Sequence, residues 1–286
     1  MSRAWRTGCV LLALGTFGTI SCSEAGPPAP GEIQRLIAQI AQQDTEGVIW
    51  AAFSQTYGLP YDYYYTPEML RLIEIGKLAV PLLVQQLQEL QEQEHADGPP
   101  WWDIGDVIVA MLGDIGDPAA TEAIVAYARQ WSRWDKAARG YGDYELLHIE
   151  ALGKVGRKLI GEPNGRERLQ KLVDFFEEVY YRVTVPAVCV RSGHDDLVKA
   201  LVAIGEEEEA RFYVMSLLVR ATGDLYSDYD KYNSGAGRAV VALRRWTGQG
   251  FGYDSRQWAE WLKKKYPDVR WDVAPPSEEP RFIETP

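Results

Sequence analysis

The sequence predicts an all-α chain of stacked helical hairpins, an α-α superhelix, and three observations carry that prediction. Aliphatic–Gly pairs recur at Ile75-Gly76, Ile115-Gly116, Val155-Gly156 and Ile204-Gly205, with glycine spacings of 40, 40 and 49 residues. On both sides of these pairs, apolar residues follow the i, i+3, i+4, i+7 spacing of one helix face. Helix-start chemistry then follows within a few residues, as at Asp117-Pro118. A hairpin made this way cannot cover its own apolar faces, so successive hairpins must stack.

Taken in order, the chain opens on a targeting segment. Arg3 and Arg6 precede an uncharged run from 7 to 23, which is too short and too rich in Gly, Ser and Thr for a transmembrane helix. Thr19-Ile20-Ser21-Cys22 resembles a bacterial lipoprotein signal, in which the Cys becomes the lipidated N-terminus. The resemblance implies a signal peptide over 1–21 and lipid attachment at Cys22. Plain secretion with cleavage nearby, an uncleaved anchor, or a segment that is no signal are the other readings. Residues 22–31 form a Pro-rich linker, and 32–266 the helical domain.

Within that domain, EIQRLIAQIAQQ (32–43) reads as an N-terminal helix, and 50–67 as an aromatic, turn-rich stretch with Tyr61 and Tyr63-Tyr64-Tyr65. First helices carry Met69/Leu72/Ile73/Gly76, Ile104/Val107/Ile108/Met111 and Ile149/Leu152/Gly153/Gly156. Second helices carry Val80/Leu83/Val84/Leu87, Ile124/Tyr127/Ala128/Trp131, Leu169/Leu172/Val173/Phe176 and Ala210/Tyr213/Val214/Leu217. The aliphatic–Gly pairs read as helix ends followed by a left-handed turn.

Residues 182–194, β-branched and interrupted by Pro186, read as an extended connector, and 222–237 as a loop. ALRRWTG ends a helix at Gly248, and a last helix starts at Asp254 with Gln257 completing a capping box. Trp258, Trp261 and Leu262 form its buried face, a Trp-rich C-terminal cap. Residues 267–286, with four Pro after Pro267 and few aliphatics, read as a disordered tail.

IGKLAVPLLVQQL, LGDIGDPAATEAIVAYA and ALGKVG resemble HEAT repeats, in particular the bacterial PBS-lyase type, over roughly 66–221. The resemblance implies a right-handed solenoid whose second helices line the concave face. Groove-facing candidates are then Gln85, Gln86, Glu122, Arg129, Lys171, Asp174, Arg211 and Arg220. It implies a scaffold that binds another protein or peptide, non-enzymatic and without a cofactor.

Charge and residue supply narrow the chemistry. The chain holds 30 Lys+Arg against 41 Asp+Glu, net −11, and removing 1–21 takes two Arg and no acid, leaving −13. Such a surface repels phosphate backbones and anionic headgroups, so no nucleic acid is expected, and membrane contact only through the lipid. Cys9 leaves with the signal and Cys22 takes the lipid, so Cys189 alone cannot supply a disulfide framework. His95, His148 and His194 each fall in a different unit or connector, which disfavours a metal site.

The HEAT-fold metal hydroxylases use His-Glu dipeptides, and this chain has none; His148 reads as a surface or groove residue. The loop of Asp224, Asp228, Asp230 and Asn233 lacks the Gly and Glu of an EF-hand, so a solvated turn is the reading, with an irregular calcium site open. Trp131 and Trp134 read as core. Tyr64 and Trp101 are the candidate contacts of the alternative function, a carbohydrate- or small-ligand-binding module.

Overall fold

Short-range signals divide the chain into helices, and the computed structural model describes residues 28, 29, 31–42, 65–92, 104–138, 145–182, 190–223 and 235–267. Among these the chain forms eleven helices and no strand. They are α1 (Glu32–Ile40), α2 (Pro67–Ile75), α3 (Val80–Glu92), α4 (Ile104–Ile115), α5 (Thr121–Ala138), α6 (Glu145–Gly156), α7 (Gly165–Arg182), α8 (Val190–Gly205), α9 (Arg211–Thr222), α10 (Gly235–Thr247) and α11 (Ser255–Lys265). The chain is therefore all-α over the described residues.

Helix starts follow the predicted chemistry. Thr66 caps α2 by accepting the Met69 N–H, with Pro67 in the first turn. Asp117 accepts the Ala119 N–H ahead of Pro118. Asp254 accepts the Gln257 N–H at 3.0 Å, and the Gln257 amide returns a bond of 2.7 Å to the same carboxylate. Four of the hairpins turn through one 3-10 turn, at Gly76–Leu78, Pro118–Ala120, Leu159–Gly161 and Glu208–Ala210.

The four marker glycines divide into two kinds. Gly76 and Gly116 take positive φ, 66° and 62°, as a left-handed turn requires. Gly156 and Gly205 do not; they remain helical, as the last residues of α6 and α8. A Cβ on Gly156 would stand 2.6 Å from Leu172 Cδ2, and one on Gly205 2.3 Å from the Trp246 ring. Their role is close approach rather than backbone conformation, which corrects the uniform reading.

The hairpins stack in two layers. First helices α2, α4, α6, α8 and α10 pack successively on one another, and second helices α3, α5, α7, α9 and α11 do the same. The first layer is the tighter. A Cβ on Gly113 would lie 2.8 Å from the Cα and Cβ of Ala151, and one on Gly153 2.8 Å from those of Ala200, so backbones meet across these seams. α1 packs on α2 and α3, and Arg71 of α2 donates to Glu32 at 2.9 Å.

One continuous apolar core runs between the layers, from Ile33 to Leu262. Trp258 closes it, fully buried, donating its indole N–H to the Gly252 carbonyl at 2.8 Å with Phe251 edge-on at 5.0 Å.

The extended connector predicted over 182–194 is corrected at its ends, where Arg182 closes α7 and 190–194 are helical in α8; 183–189 lie outside the described residues. Asp195 lies inside α8, and its carboxylate accepts the Gly235 N–H at the head of α10. It caps a neighbouring helix instead of its own. Burial is the largest influence on its carboxyl and raises its pKa, and the same holds for Asp196, beside Lys199.

Candidate functional site

Between second helices α7 and α9 the layer opens into a groove of about 620 Å³, ended by the last residues of α11. Every third or fourth residue of α7 faces the core through Leu169, Leu172 and Phe176. The intervening Gln170, Asp174 and Glu177 are left on the flank that lines the groove.

α9 contributes Phe212, Tyr213, Ser216 and Arg220 to the opposite wall. Phe212 is 42% exposed, although an aromatic ring of this size is normally covered. Its ring meets Tyr266 edge-on at 4.8 Å, and Lys265 lies over the Tyr266 ring at 5.4 Å.

The charged rim is balanced in sign. Arg166 pairs with Glu209 at 3.6 Å and Arg220 with Glu177 at 3.7 Å, each across the α7/α9 gap. Arg220 also packs over Tyr180, its side chain only 13% exposed, so its head is held in place. Gln170 donates to Asp174 at 2.8 Å. The result is an aromatic floor with an acidic edge on α7 and cations at Arg166, Arg220 and Lys265. It suits an amphipathic chain segment better than a small apolar ligand.

Of the eight predicted groove residues, Asp174 and Arg220 line this groove. The others lie on the same layer, where Glu122, Arg129 and Arg211 tie neighbouring elements together and Gln85 and Lys171 pair within their own helices. Glu122 accepts two bonds from Arg168 at 2.6 and 2.7 Å; burial is the largest influence on its pKa and raises it, but the Arg168 hydrogen bonds, its own backbone N–H and the Arg168 and Lys171 charges together lower it overall. Arg129 pairs with Glu178 at 3.4 Å and sits over Phe175. Lys171 pairs with Glu167, and Gln85 donates to Glu89. Arg211 donates to the Gly205 carbonyl at 3.0 Å and lies over Trp246. Gln86 is half-buried on α3.

Phe212, Tyr213 and Tyr266 were missed as site residues. The available signal was Phe212 itself, an aromatic residue one step off the apolar face of α9. Cys22, Tyr64, Trp101, His95 and the 224–233 loop lie outside the described residues, as do the signal peptide and residues 268–286.

His148 is a clear correction. It is 1% exposed, not a surface or groove residue, and its Nε2 lies 2.9 Å from Oδ1 of fully buried Asp106 on α4. The Tyr127 ring stands edge-on to it at 5.4 Å. The physical reason is its register: 40 residues from Ile108 and 49 from Leu197, it occupies a core column of the repeat. The pair is sealed from solvent, so it acts as a polar tie between α4 and α6.

Among the described residues no group of three or more His, Cys, Asp or Glu is placed to hold a metal ion, and no helix is long and apolar enough to cross a membrane. No family model, curated protein or solved structure matches the chain.

Proposed function

We propose that this protein is a non-enzymatic interaction scaffold that binds a peptide segment of another protein in the α7/α9 groove. The stacked hairpins are read as a HEAT-like right-handed α-superhelix, carried by the near-40-residue recurrence and the two-layer packing. The single observation behind the binding role is exposed Phe212 on the floor of a 620 Å³ groove with an evenly charged rim. Exposed aromatic surface framed by polar residues is the usual form of a protein-binding patch.

The protein is further proposed to be exported to a bacterial cell envelope, on its periplasmic or outer face, and held there by a lipid on Cys22. The acidic balance supports a location and partner away from nucleic acid.

The test is a peptide selected from a random library on the full-length protein, with its footprint read by hydrogen exchange. Protection is expected over 166–177 and 209–220. The double variant Asp174→Arg with Arg220→Glu should weaken binding by at least about tenfold, about 1.4 kcal/mol. Protection confined to α3 or α5, or an affinity unchanged by the double variant, refutes the assignment. For the anchor, Cys22→Ser should abolish membrane association and the mass of the added lipid; unchanged values exclude lipidation.

A further inference from the structure

The groove has one wall from which the chain itself departs. Pro267 lines it beside Lys265 and Tyr266, and a further 19 residues follow, DVRWDVAPPSEEPRFIETP. That segment carries what the groove is built to receive. It has an aromatic residue at Trp271, a cation at Arg270 beside it, and carboxylates at Asp268 and Asp272.

The groove offers the matching set: the Phe212, Tyr213 and Tyr266 rings, acids at Asp174 and Glu177, and cations at Arg166 and Lys265. Four extended residues from Pro267 to Trp271 span about 13–14 Å, more than the 8–10 Å between packed helix axes, so the reach suffices. Pro275, Pro276 and Pro280 lower the entropy lost in holding an extended strand against aromatic walls.

We propose that residues 268–286 of this chain are the resident occupant of the α7/α9 groove, with Trp271 against the aromatic wall, and that a partner peptide binds by displacing them. This rests on the reading of the groove as a peptide site. Tethering makes the competition strong. A short flexible connection gives an effective concentration of about 1 mM, so a tail with an intrinsic Kd of about 0.1 mM weakens partner binding about tenfold.

The experiment uses the full-length chain with Trp271 replaced by the photo-crosslinker p-benzoylphenylalanine, irradiated in dilute solution and mapped by mass spectrometry. Expected are cross-links within one molecule to 166–177 or 209–220. Cross-links to other segments, only between molecules, or none at all overturn the proposal.

A second measurement uses the library-selected peptide whose footprint covers the groove. Trp271→Ala should tighten its binding about tenfold, and Asp174→Arg with Arg220→Glu should cancel that gain. An unchanged affinity in Trp271→Ala overturns the resident tail while leaving the groove reading intact. A selected peptide that leaves 166–177 and 209–220 unprotected overturns the groove reading, and the proposal with it.

Discussion

Replacing Gly153 with alanine sets two opposed terms against each other at the seam between α6 and α8. Alanine is the better helix former, by about 1 kcal/mol. The new methyl, however, would stand 2.8 Å from both Cα and Cβ of Ala200. Neither atom can rotate aside, so the two helices must separate, and overpacking of this kind costs about 1–3 kcal/mol.

Gly153→Ala should therefore lower stability by up to about 2 kcal/mol in urea unfolding. Ala200→Gly removes the Cβ half of that clash, so the double variant should show a favourable coupling of about 1 kcal/mol. Gly161→Ala is the control: a Cβ there meets nothing within 4 Å, and its effect should stay within about 0.5 kcal/mol. A Gly153→Ala protein more stable than the parent, or a cycle that is simply additive, refutes close backbone approach as the basis of the first layer.

Three other perturbations test separate parts of the fold. Asp106→Ala leaves the buried imidazole of His148 without its partner and should cost about 1–3 kcal/mol, with His148→Phe in the same chain recovering part of it; equal stability of Asp106→Ala and parent would refute the tie. Asp117→Ala removes the acceptor of the Ala119 N–H and should cost about 1 kcal/mol in the same assay.

Asp196 gives a pH test. Burial raises its pKa despite Lys199, so the folded chain keeps its proton in a window opening upward from the ordinary 3.8. In that window the folded state binds more protons than the unfolded one, and stability rises as pH falls. The stability of the parent relative to Asp196→Asn should climb as pH is lowered from 7 towards 4; a flat or opposite slope rejects the assignment.

Much of the helix layout was legible because it rests on local signals. The i, i+3, i+4, i+7 runs, the Asp117-Pro118 start and the Asp254 cap each depend on residues within a turn of one another; both caps form as read, except that the Gln257 amide returns to the Asp254 carboxylate and not to its backbone N–H. Less legible was whatever depends on the neighbouring hairpin. Gly156 and Gly205 looked like turn glycines, but Leu172 and Trp246 decide their role from other helices.

His148 looked polar and therefore peripheral. Aligning the glycines would have put it in one column with Ile108 and Leu197, both buried, and so pointed inward. The groove was half legible for a related reason. Periodicity marks which residues turn away from the core, giving Asp174 and Arg220, but it does not tell which neighbours splay apart. That needed the position of α11, which brings Tyr266 against Phe212.

The carboxylate of Asp114, at the end of α4, accepts a bond from Tyr65 at 2.7 Å and another from Lys154 at 2.7 Å. Those partners belong to the hairpins before and after its own, so one side chain joins three successive units. A stack held only by adjacent contacts would melt from its ends one unit at a time. Here, loss of the first hairpin takes only the Tyr65 bond from Asp114, whereas loss of the second strips both neighbours of that partner, leaving Lys154 with Glu150 on its own helix. The two seams are thereby coupled through the middle unit, and an opening there loosens both neighbours at once.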